Sequence, residues 1–333
     1  FRYNYRDLQR GNRNMAIRMM LGFVISLIVV LLLMPHFIDF LKKISFNQTV
    51  NDYSLQEYKE KAKTPIMGGI LFIITPVLVT ILLYPACLLD YKVCMVFLAF
   101  VGYGLIGFTD DFLIAVKKNN DGLKAQYKFG LQLLLAIVFY IMYQEHSILS
   151  IQLLFNGPVI NLGLFYVVLI LFMFTGSSNA VNLTDGMDGL AAGCTCFSLI
   201  PFLIFAYLSG NTGISVFITS LLGALFGYLH YNVKPAKIFM GDTGSLALGG
   251  VLAALAMVLK KEIPLILIGG VFVIETLCVI IQITSVKTRH KKVFPYTPIH
   301  YSFVIKGMSE NNTVHLFWVV SALFAILGFF AGK

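Results

Sequence analysis

The sequence predicts an all-α, polytopic integral membrane protein with about ten transmembrane helices. Of its 333 residues, 58% are hydrophobic and only 12% are charged, whereas soluble globular proteins are about 45–50% apolar and about 25% charged. A soluble protein of this composition could not cover its surface with polar side chains. The mean hydropathy of +0.83 leads to the same conclusion. We therefore expect the lipid bilayer to surround much of the chain.

Ten apolar runs are long enough to cross a bilayer, since a spanning helix needs about 20 mostly apolar residues. Each run must be helical because lipid offers no hydrogen-bond partners to free backbone groups. The runs leave no room for a soluble domain, so residues 15–333 are predicted to form a single ten-helix domain. The runs are centred on residues 17–38, 66–86, 93–109, 129–143, 160–178, 190–208, 212–231, 244–260, 263–285 and 313–331.

Lysine and arginine are distributed unevenly between the two sets of predicted loops. Sixteen lie in one set and three in the other internal loops, so the positive-inside rule places the first set in the cytoplasm and both termini outside. Arginines near the N-terminus oppose this orientation, but Met15 begins a stretch that resembles a natural start. Residues 1–14 are therefore interpreted as an N-terminal extension or an expression remnant. The same rule explains the net charge of +9 without a nucleic acid partner.

Three acidic motifs stand where apolar runs meet predicted cytoplasmic loops. They read GFTDDF (107–112), NLTDGMDG (182–189) and FMGDTGS (239–245). Carboxylates at membrane depth are costly and usually functional. Aspartate also caps helices, but three such motifs at one face predict a single acidic pocket. We expect an active site at the cytoplasmic face.

The composition of this pocket indicates Mg²⁺ as a cofactor. Several carboxylates repel one another unless a cation lies among them, and oxygen ligands without paired histidine or cysteine suit Mg²⁺ better than zinc. Mg²⁺ is commonly held by one or two carboxylates and completes its shell with water and phosphates. This pattern indicates phosphoryl chemistry. The five cysteines lack zinc spacing and are interpreted as packing residues.

Basic residues near the acidic motifs are candidates for binding phosphate. Lys59 and Lys61 precede a predicted helix start, and Lys124 and Lys128 are one helical turn apart, so they can share a face. Such amines suit the phosphates of a nucleotide or a lipid head group. Solvated loop lysines that obey the positive-inside rule are the alternative interpretation. Glu275 lies within an apolar run and requires a buried partner.

From about residue 17 to the C-terminus, the sequence resembles the phospho-N-acetylmuramoyl-pentapeptide transferases, or translocase I enzymes. These belong to the superfamily of polyprenyl-phosphate N-acetylhexosamine-1-phosphate transferases. The resemblance is carried by KTPIMGG (63–69), GFTDDF (107–112), NAVNLTDGMDGLAAG (179–193), NVKPAKIFMGDTGSLALGG (232–250) and TPIH (297–300). It implies ten helices in the bacterial cytoplasmic membrane with both termini outside, in agreement with the charge distribution.

The resemblance also implies the reaction and its partners. Phospho-MurNAc-pentapeptide would pass from UDP-MurNAc-pentapeptide to undecaprenyl phosphate, which gives lipid I and UMP in the first membrane step of peptidoglycan synthesis. Mg²⁺ is the implied cofactor. Membrane lipids and a second copy of the chain, in a homodimer, are the implied partners.

Motif matches assign expected roles to individual residues. Asp242 is implied as the Mg²⁺ ligand, with Asp185 as a further essential acid near the metal. Asp110 and Asp111 match a pair that deprotonates or orients the lipid phosphate. The positions that resemble the nucleoside and sugar side of the site are Asn182, Asp188, Asn232, Phe239 and Gln282, and Lys59 or Lys61 with Thr64 would lie near the diphosphate. The further candidates for substrate binding are Lys124, Lys128, Asn179, His300 and Tyr301.

Two departures from the family pattern bear on sugar specificity. The family usually carries three consecutive histidines where this chain has His300-Tyr301-Ser302, so Tyr301 is expected to replace one of them as a stacking or hydroxyl contact. Ile114 stands where a lysine is common. A UDP-GlcNAc:polyprenyl-phosphate GlcNAc-1-phosphate transferase is therefore the alternative, although the loop VFPYTPIHYSF favours the muramyl branch. An ion-coupled transporter is a more distant alternative, since its acids would lie near the bilayer midplane within paired repeats.

Overall fold

Helices account for nearly all the regular structure of the described residues. This computed structural model describes residues 5–44, 64–117 and 122–333, the side chains of residues 5–12 excepted. In chain order the α-helices are α1 Tyr5–Lys43, α2 Gly69–Leu83, α3 Tyr91–Lys117, α4 Ala125–Gln144, α5 Tyr166–Thr184, α6 Leu190–Leu208, α7 Thr212–Asn232, α8 Gly241–Val258, α9 Pro264–Ile268, α10 Gly270–Arg289, α11 Ile299–Ile305 and α12 Glu310–Gly332.

Nine helices within the described ranges are long and apolar enough to cross a membrane, which confirms the predicted all-α membrane fold. The predicted run 66–86 instead holds the shorter helix α2, of 15 residues. Such a helix is about 22 Å long, less than the roughly 30 Å of a hydrocarbon core. It ends at Leu83, and the C-cap residue Tyr84 leaves the helical conformation (φ −145°, ψ 72°), since a residue before proline disfavours that conformation. The chain then continues as a 3₁₀ turn over Pro85–Leu89.

Two other predicted runs differ from the observed helices. The run 160–178 begins too early, because Val159–Asn161 pairs with Ser150–Gln152 in an antiparallel hairpin in which Ile151 faces Ile160. The run 263–285 is divided at Gly269 into the short helix α9 and the long helix α10. Both differences involve short apolar segments, in which hydrophobicity alone does not separate strand, turn and helix.

Helices α7 and α8 form the centre of the bundle. Most residues of these two helices are buried, whereas most residues of α1 and α4 are not. Helix α8 packs against α3 and α5, and α7 packs against α1 and α2. Apolar side chains of the outer helices, such as Leu82 and Leu134, point away from the bundle. These outward faces suit contact with lipid.

Glycine allows α3 to approach α8 without intervening side chains. A Cβ atom on Gly107 would collide with the backbone carbonyl group of Asp242. Small residues permit such close contact between membrane helices. The approach brings the C-terminal part of α3, which carries Asp110 and Asp111, against the first turn of α8.

A buried polar cluster lies at the opposite end of the bundle. The hydroxyl group of Tyr166 donates a hydrogen bond to Glu262, and the ammonium group of Lys260 lies 3.7 Å from the same carboxylate. Lys260 also donates to the carbonyl group of Ser150, 3.3 Å away, which fastens the hairpin to the bundle. Burial raises the pKa of the Glu262 carboxyl group and lowers the pKa of Lys260. Burial thus favours the uncharged forms of both Glu262 and Lys260 at this end of the bundle.

Candidate active site

Asp111 fixes the beginning of helix α8. Its carboxylate accepts hydrogen bonds from the amides of Asp242 and Thr243 at 3.0 and 2.9 Å, and from the Thr243 hydroxyl group at 2.6 Å. Negative charge is favourable at a helix N-terminus, where backbone N–H groups lack partners. Gly241 has a φ of +69°, and a Cβ atom there would collide with Asp111. The sequence Gly241-Asp242-Thr243 thus allows the carboxylate of Asp111 to position Asp242.

The carboxylate of Asp242 lies between helices α4 and α5. One oxygen accepts a hydrogen bond from the Nδ2 atom of Asn182, 2.7 Å away, and the other contacts the ammonium group of Lys128. Asn182 also donates to the hydroxyl group of Ser245 at 2.9 Å, which fixes the amide orientation. The Asp242 side chain keeps 23% of its surface exposed. A ligand can therefore reach this carboxylate.

Asp110 connects the same cluster to the start of α4. It accepts a hydrogen bond from the backbone amide of Leu123 at 2.6 Å, and its second oxygen lies 3.4 Å from the ammonium group of Lys128. Gly122 lies so close to this carboxylate that a Cβ atom would collide with it. Lys128 thus bridges Asp110 and Asp242. These contacts bring together Asp110 of the first acidic motif and Asp242 of the third.

A second polar layer lies one helical turn further along the bundle. Asn179 precedes Asn182 by one turn of α5, and its Nδ2 atom donates to the Oε1 atom of Gln132 at 2.9 Å. Gln132 follows Lys128 by one turn of α4 and is only 1% exposed. Its Nε2 atom has no hydrogen-bond partner within the described part of the chain. Gln132 was not predicted as a site residue, although a polar amide within the apolar run 129–143 could have indicated it.

The turn after α5 is held by contacts to distant segments. Asp185 is half-buried and caps the C-terminus of α5. Asp188 accepts a hydrogen bond from the amide of Ala236 at 3.0 Å. Asn232 accepts one from the amide of Gly189 at 3.0 Å. Asp188 and Asn232 therefore join this turn to the segment that leads into α8.

The segment before α2 lies beside the segment before α8. The amide of Phe239 donates to the carbonyl group of Pro65 at 2.9 Å, and the amide of Gly68 donates to the carbonyl group of Phe239 at 2.8 Å. Thr64 precedes Pro65 and is half-buried. The structure thus brings Thr64 close to Phe239. Lys59 and Lys61 lie outside the described residues.

Helix α11 is anchored by a buried carboxylate. Glu275 of α10 accepts hydrogen bonds from the amides of Ile299 and His300 at 2.8 and 3.3 Å, and its Oε1 atom lies 3.0 Å from the Nδ1 atom of His300. Glu275 and His300 are fully buried, so the predicted partner of Glu275 is this histidine. Tyr301 donates from its hydroxyl group to the carbonyl group of Gly186 at 3.0 Å. This contact joins α11 to the turn after α5.

Lys124 and Gln282 lie away from these carboxylate contacts. Lys124 is the exposed N-cap residue of α4, so it does not share the inward direction of Lys128. Gln282 accepts hydrogen bonds from the amides of Val293 and Phe294 at 2.9 and 3.0 Å and donates to the carbonyl group of Phe294 at 3.1 Å. Its side-chain amide thereby fixes the loop after α10.

The cluster contains few ligands for a metal ion. Among the described residues no group of three or more His, Cys, Asp or Glu side chains is arranged to hold one. Asp110 and Asp242 nevertheless meet at one ammonium group, so a single cation reaches both. Two carboxylates are enough for Mg²⁺, which obtains its other ligands from water and phosphate.

Comparison with known proteins gives consistent matches. Residues 93–260, which include the three acidic motifs, match the family described as glycosyl transferase family 4. The chain is 44% identical over 315 residues to the phospho-N-acetylmuramoyl-pentapeptide-transferase of Geobacillus sp. (strain WCH70), covering 94% of this chain and 97% of that protein. Proteins of the same name from Staphylococcus saprophyticus and Anoxybacillus flavithermus are 41% and 42% identical. These alignments cover 93% and 92% of this chain, and 98% and 95% of those proteins.

Proposed function

Because this chain belongs to glycosyl transferase family 4 and, within it, to the phospho-N-acetylmuramoyl-pentapeptide transferases, we infer that it catalyses their reaction in peptidoglycan synthesis. Phospho-MurNAc-pentapeptide passes from UDP-MurNAc-pentapeptide to undecaprenyl phosphate, with lipid I and UMP as products. The observation that carries this inference is the identity of 44% across 94% of the chain. The alternative that uses UDP-GlcNAc is not favoured by these relatives.

The bond changes in the transfer are simple. An oxygen of the lipid phosphate attacks the β-phosphorus of the nucleotide, and the bond from this phosphorus to the bridging oxygen breaks. UMP leaves with that oxygen and its electron pair. A phosphate monoester has its second pKa at about 6, so the attacking oxygen is mostly ionised at neutral pH. Asp110, which already accepts hydrogen bonds from Leu123 and Lys128, is better suited to orienting groups than to removing a proton.

The carboxylate cluster suits Mg²⁺. Asp242 would be its main ligand, since its side chain is partly exposed and lies in the first turn of α8. Asp185 and Asp110 supply further oxygen donors at the same end of the bundle. A bound Mg²⁺ would neutralise charge on the diphosphate and on the departing UMP. The ammonium group of Lys128 would bind substrate oxygens beside it, while the side-chain amide of Asn182 would keep Asp242 in place.

The site would open to the cytoplasm. The loops at this end of the bundle carry most of the lysine and arginine residues, and such loops stay on the cytoplasmic side. The nucleotide substrate would reach the site from that side, and the lipid phosphate from the bilayer. We also propose a homodimer in the bacterial cytoplasmic membrane, which follows from the family resemblance alone.

Lipid I formation by the purified protein tests the proposed function. The reaction contains undecaprenyl phosphate, UDP-MurNAc-pentapeptide and Mg²⁺, with a parallel reaction that contains UDP-GlcNAc. We expect turnover of the muramyl substrate alone, its loss in Asp242→Asn, and its retention in the control Asp39→Asn, which changes an exposed carboxylate of α1. Turnover of UDP-GlcNAc alone would move the protein to the sister branch. Equal activity with and without Mg²⁺ after chelation would contradict the metal requirement.

A two-step route through a phosphorylated aspartate is the competing mechanism. A single turnover with substrate labelled at the β-phosphorus distinguishes the two routes. Direct attack predicts that label passes to lipid without remaining on the protein after acid quenching. A labelled aspartate that forms and decays at the turnover rate would rule out direct attack.

A further inference from the structure

Lys128 is bound as a counter-ion within the carboxylate cluster. Its ammonium group contacts Asp242 and lies 3.4 Å from Asp110. It approaches from α4, whereas the carboxylates belong to α8 and α3. One ammonium group therefore satisfies two acids on two different helices.

The position of Lys128 along α4 is unfavourable for a cation on electrostatic grounds. Helix α4 begins at Ala125, so Lys128 lies in its first turn. The N-terminus of a helix carries partial positive charge and favours anions. The carboxylates, rather than the helix, thus account for the position of this ammonium group. Lys128 is therefore held by the negative charge of the carboxylates, which another cation could also neutralise.

Neither oxygen of Asp242 is without a partner. Asn182 donates to one oxygen and Lys128 to the other, while Asp111 is committed to the amides of α8. Mg²⁺ binds carboxylate oxygens at about 2.0–2.1 Å. At that distance an ammonium group on the same oxygen would repel the metal strongly, because two positive charges would share one small space. The metal and Lys128 therefore compete for Asp242.

We propose that Lys128 and Mg²⁺ exchange at Asp242, so that metal binding releases the Lys128 ammonium group toward the phosphates of the substrate. This inference rests on the metal site of the proposed function. Lysine is suited to such movement, since its charge lies at the end of a flexible four-carbon chain. The side chain of Lys128 is 19% exposed, so part of it borders open space into which the ammonium group can move. One residue would thus hold the acids together before the metal binds and hold phosphate afterwards.

Metal affinity without substrate is the first test. Mn²⁺ serves as the probe, and free Mn²⁺ is measured by electron paramagnetic resonance in the presence of the purified full-length protein. In Lys128→Met we expect binding about tenfold tighter than in the wild type, because a competing positive charge is gone. Lys237→Met is the matched control, since it removes an exposed lysine at the same end of the bundle. Its affinity should match that of the wild type.

Amine labelling measures the release of Lys128 directly. Reductive methylation followed by mass spectrometry compares Lys128 with exposed Lys237 in the same sample, with and without Mg²⁺. We expect Mg²⁺ to raise labelling of Lys128 at least about threefold relative to Lys237, since a released amine meets solvent. Unchanged labelling in protein that binds Mn²⁺ would overturn the exchange and leave the proposed function standing. Failure of the wild type to bind Mn²⁺ at all would overturn both the exchange and the metal part of the proposed function.

Discussion

Asp111 of α3 and Thr243 of α8 are joined by two hydrogen bonds, one from the Thr243 amide at 2.9 Å and one from its hydroxyl group at 2.6 Å. Asp111 is 4% exposed and receives a third hydrogen bond from the amide of Asp242. A carboxylate in this position stabilises the start of α8 in addition to any part it takes in catalysis. Its removal should therefore change stability as well as activity.

Asp111→Asn should lower the stability of the folded protein in detergent. The new NH₂ group would face backbone donors where an acceptor is needed, and leaving buried donors unsatisfied costs about 1–3 kcal/mol. A thermal unfolding midpoint below that of the wild type is the expected measurement. Asp39→Asn, at an exposed position of α1, should leave the midpoint unchanged. An unaltered midpoint in Asp111→Asn would show that the carboxylate does not stabilise α8.

Gly107→Ala should force α3 and α8 apart. The added methyl group would meet the backbone carbonyl of Asp242, which cannot rotate away as a side chain could. Overpacking of this kind costs about 1–3 kcal/mol. Gly130→Ala in α4 is the matched control, because a Cβ atom there contacts nothing within 4 Å; it should stabilise the helix by up to about 1 kcal/mol. Equal thermal midpoints for the two variants would contradict the close approach of α3 and α8.

Tyr301→Phe should weaken binding of the nucleotide substrate. It removes the hydroxyl group that holds the carbonyl of Gly186 and leaves the aromatic ring. The loss of one such hydrogen bond, about 0.5–1.5 kcal/mol, corresponds to a KM for UDP-MurNAc-pentapeptide that is about 2–10-fold higher. Tyr296→Phe is the control, since the Tyr296 side chain is exposed. A KM that stays at the wild-type value in Tyr301→Phe would assign Tyr301 a stacking role alone.

Glu262 should make stability depend on pH at the end of the bundle opposite the carboxylate cluster. Burial raises the pKa of its carboxyl group above the usual 4.5, so the folded protein retains this proton at pH values where the unfolded chain has lost it. Its contribution to the free energy of unfolding is therefore greatest below pH 4.5 and falls as the pH rises above that value. Glu262→Gln removes this titration and preserves an acceptor for Tyr166.

The difference in thermal midpoint between the wild type and Glu262→Gln measures this effect. It should shift in favour of the glutamine variant as the pH is raised from about 4 to about 7. Lys260 and Lys261, whose pKa values burial lowers from 10.5, are present in both proteins. A difference that stays constant with pH would contradict the raised pKa of Glu262.

The membrane fold could be predicted from the sequence because lipid restricts the backbone to few structures. A long apolar run in a bilayer must be helical, and α6 begins and ends at the predicted residues 190 and 208. The hairpin at Ser150–Gln152 and the division at Gly269 depend on local backbone hydrogen bonds. In such short apolar segments, hydrophobicity alone does not separate strand, turn and helix.

The site could be predicted in part. Acidic motifs at the ends of apolar runs on one side of a membrane predicted a single pocket, and Asp110 and Asp242 do meet at Lys128. The direction in which a side chain points around its helix could not be predicted in the same way. Lys124 and Lys128 were expected to share a face, but Lys124 precedes the first turn of α4 and points outward. The catalytic and binding roles assigned by resemblance stay predictions.

The anchoring of α11 has a consequence for the engineering of substrate choice. His300 depends on Glu275 of α10, and the neighbouring Tyr301 depends on Gly186 in the turn after α5. Gly186 lies 115 residues before Tyr301 in the sequence, yet the three segments fit together as one unit. A chimera that exchanges only the last loop between sister enzymes would combine mismatched parts. A graft that transfers all three segments together has the better prospect of an altered sugar preference in an intact protein.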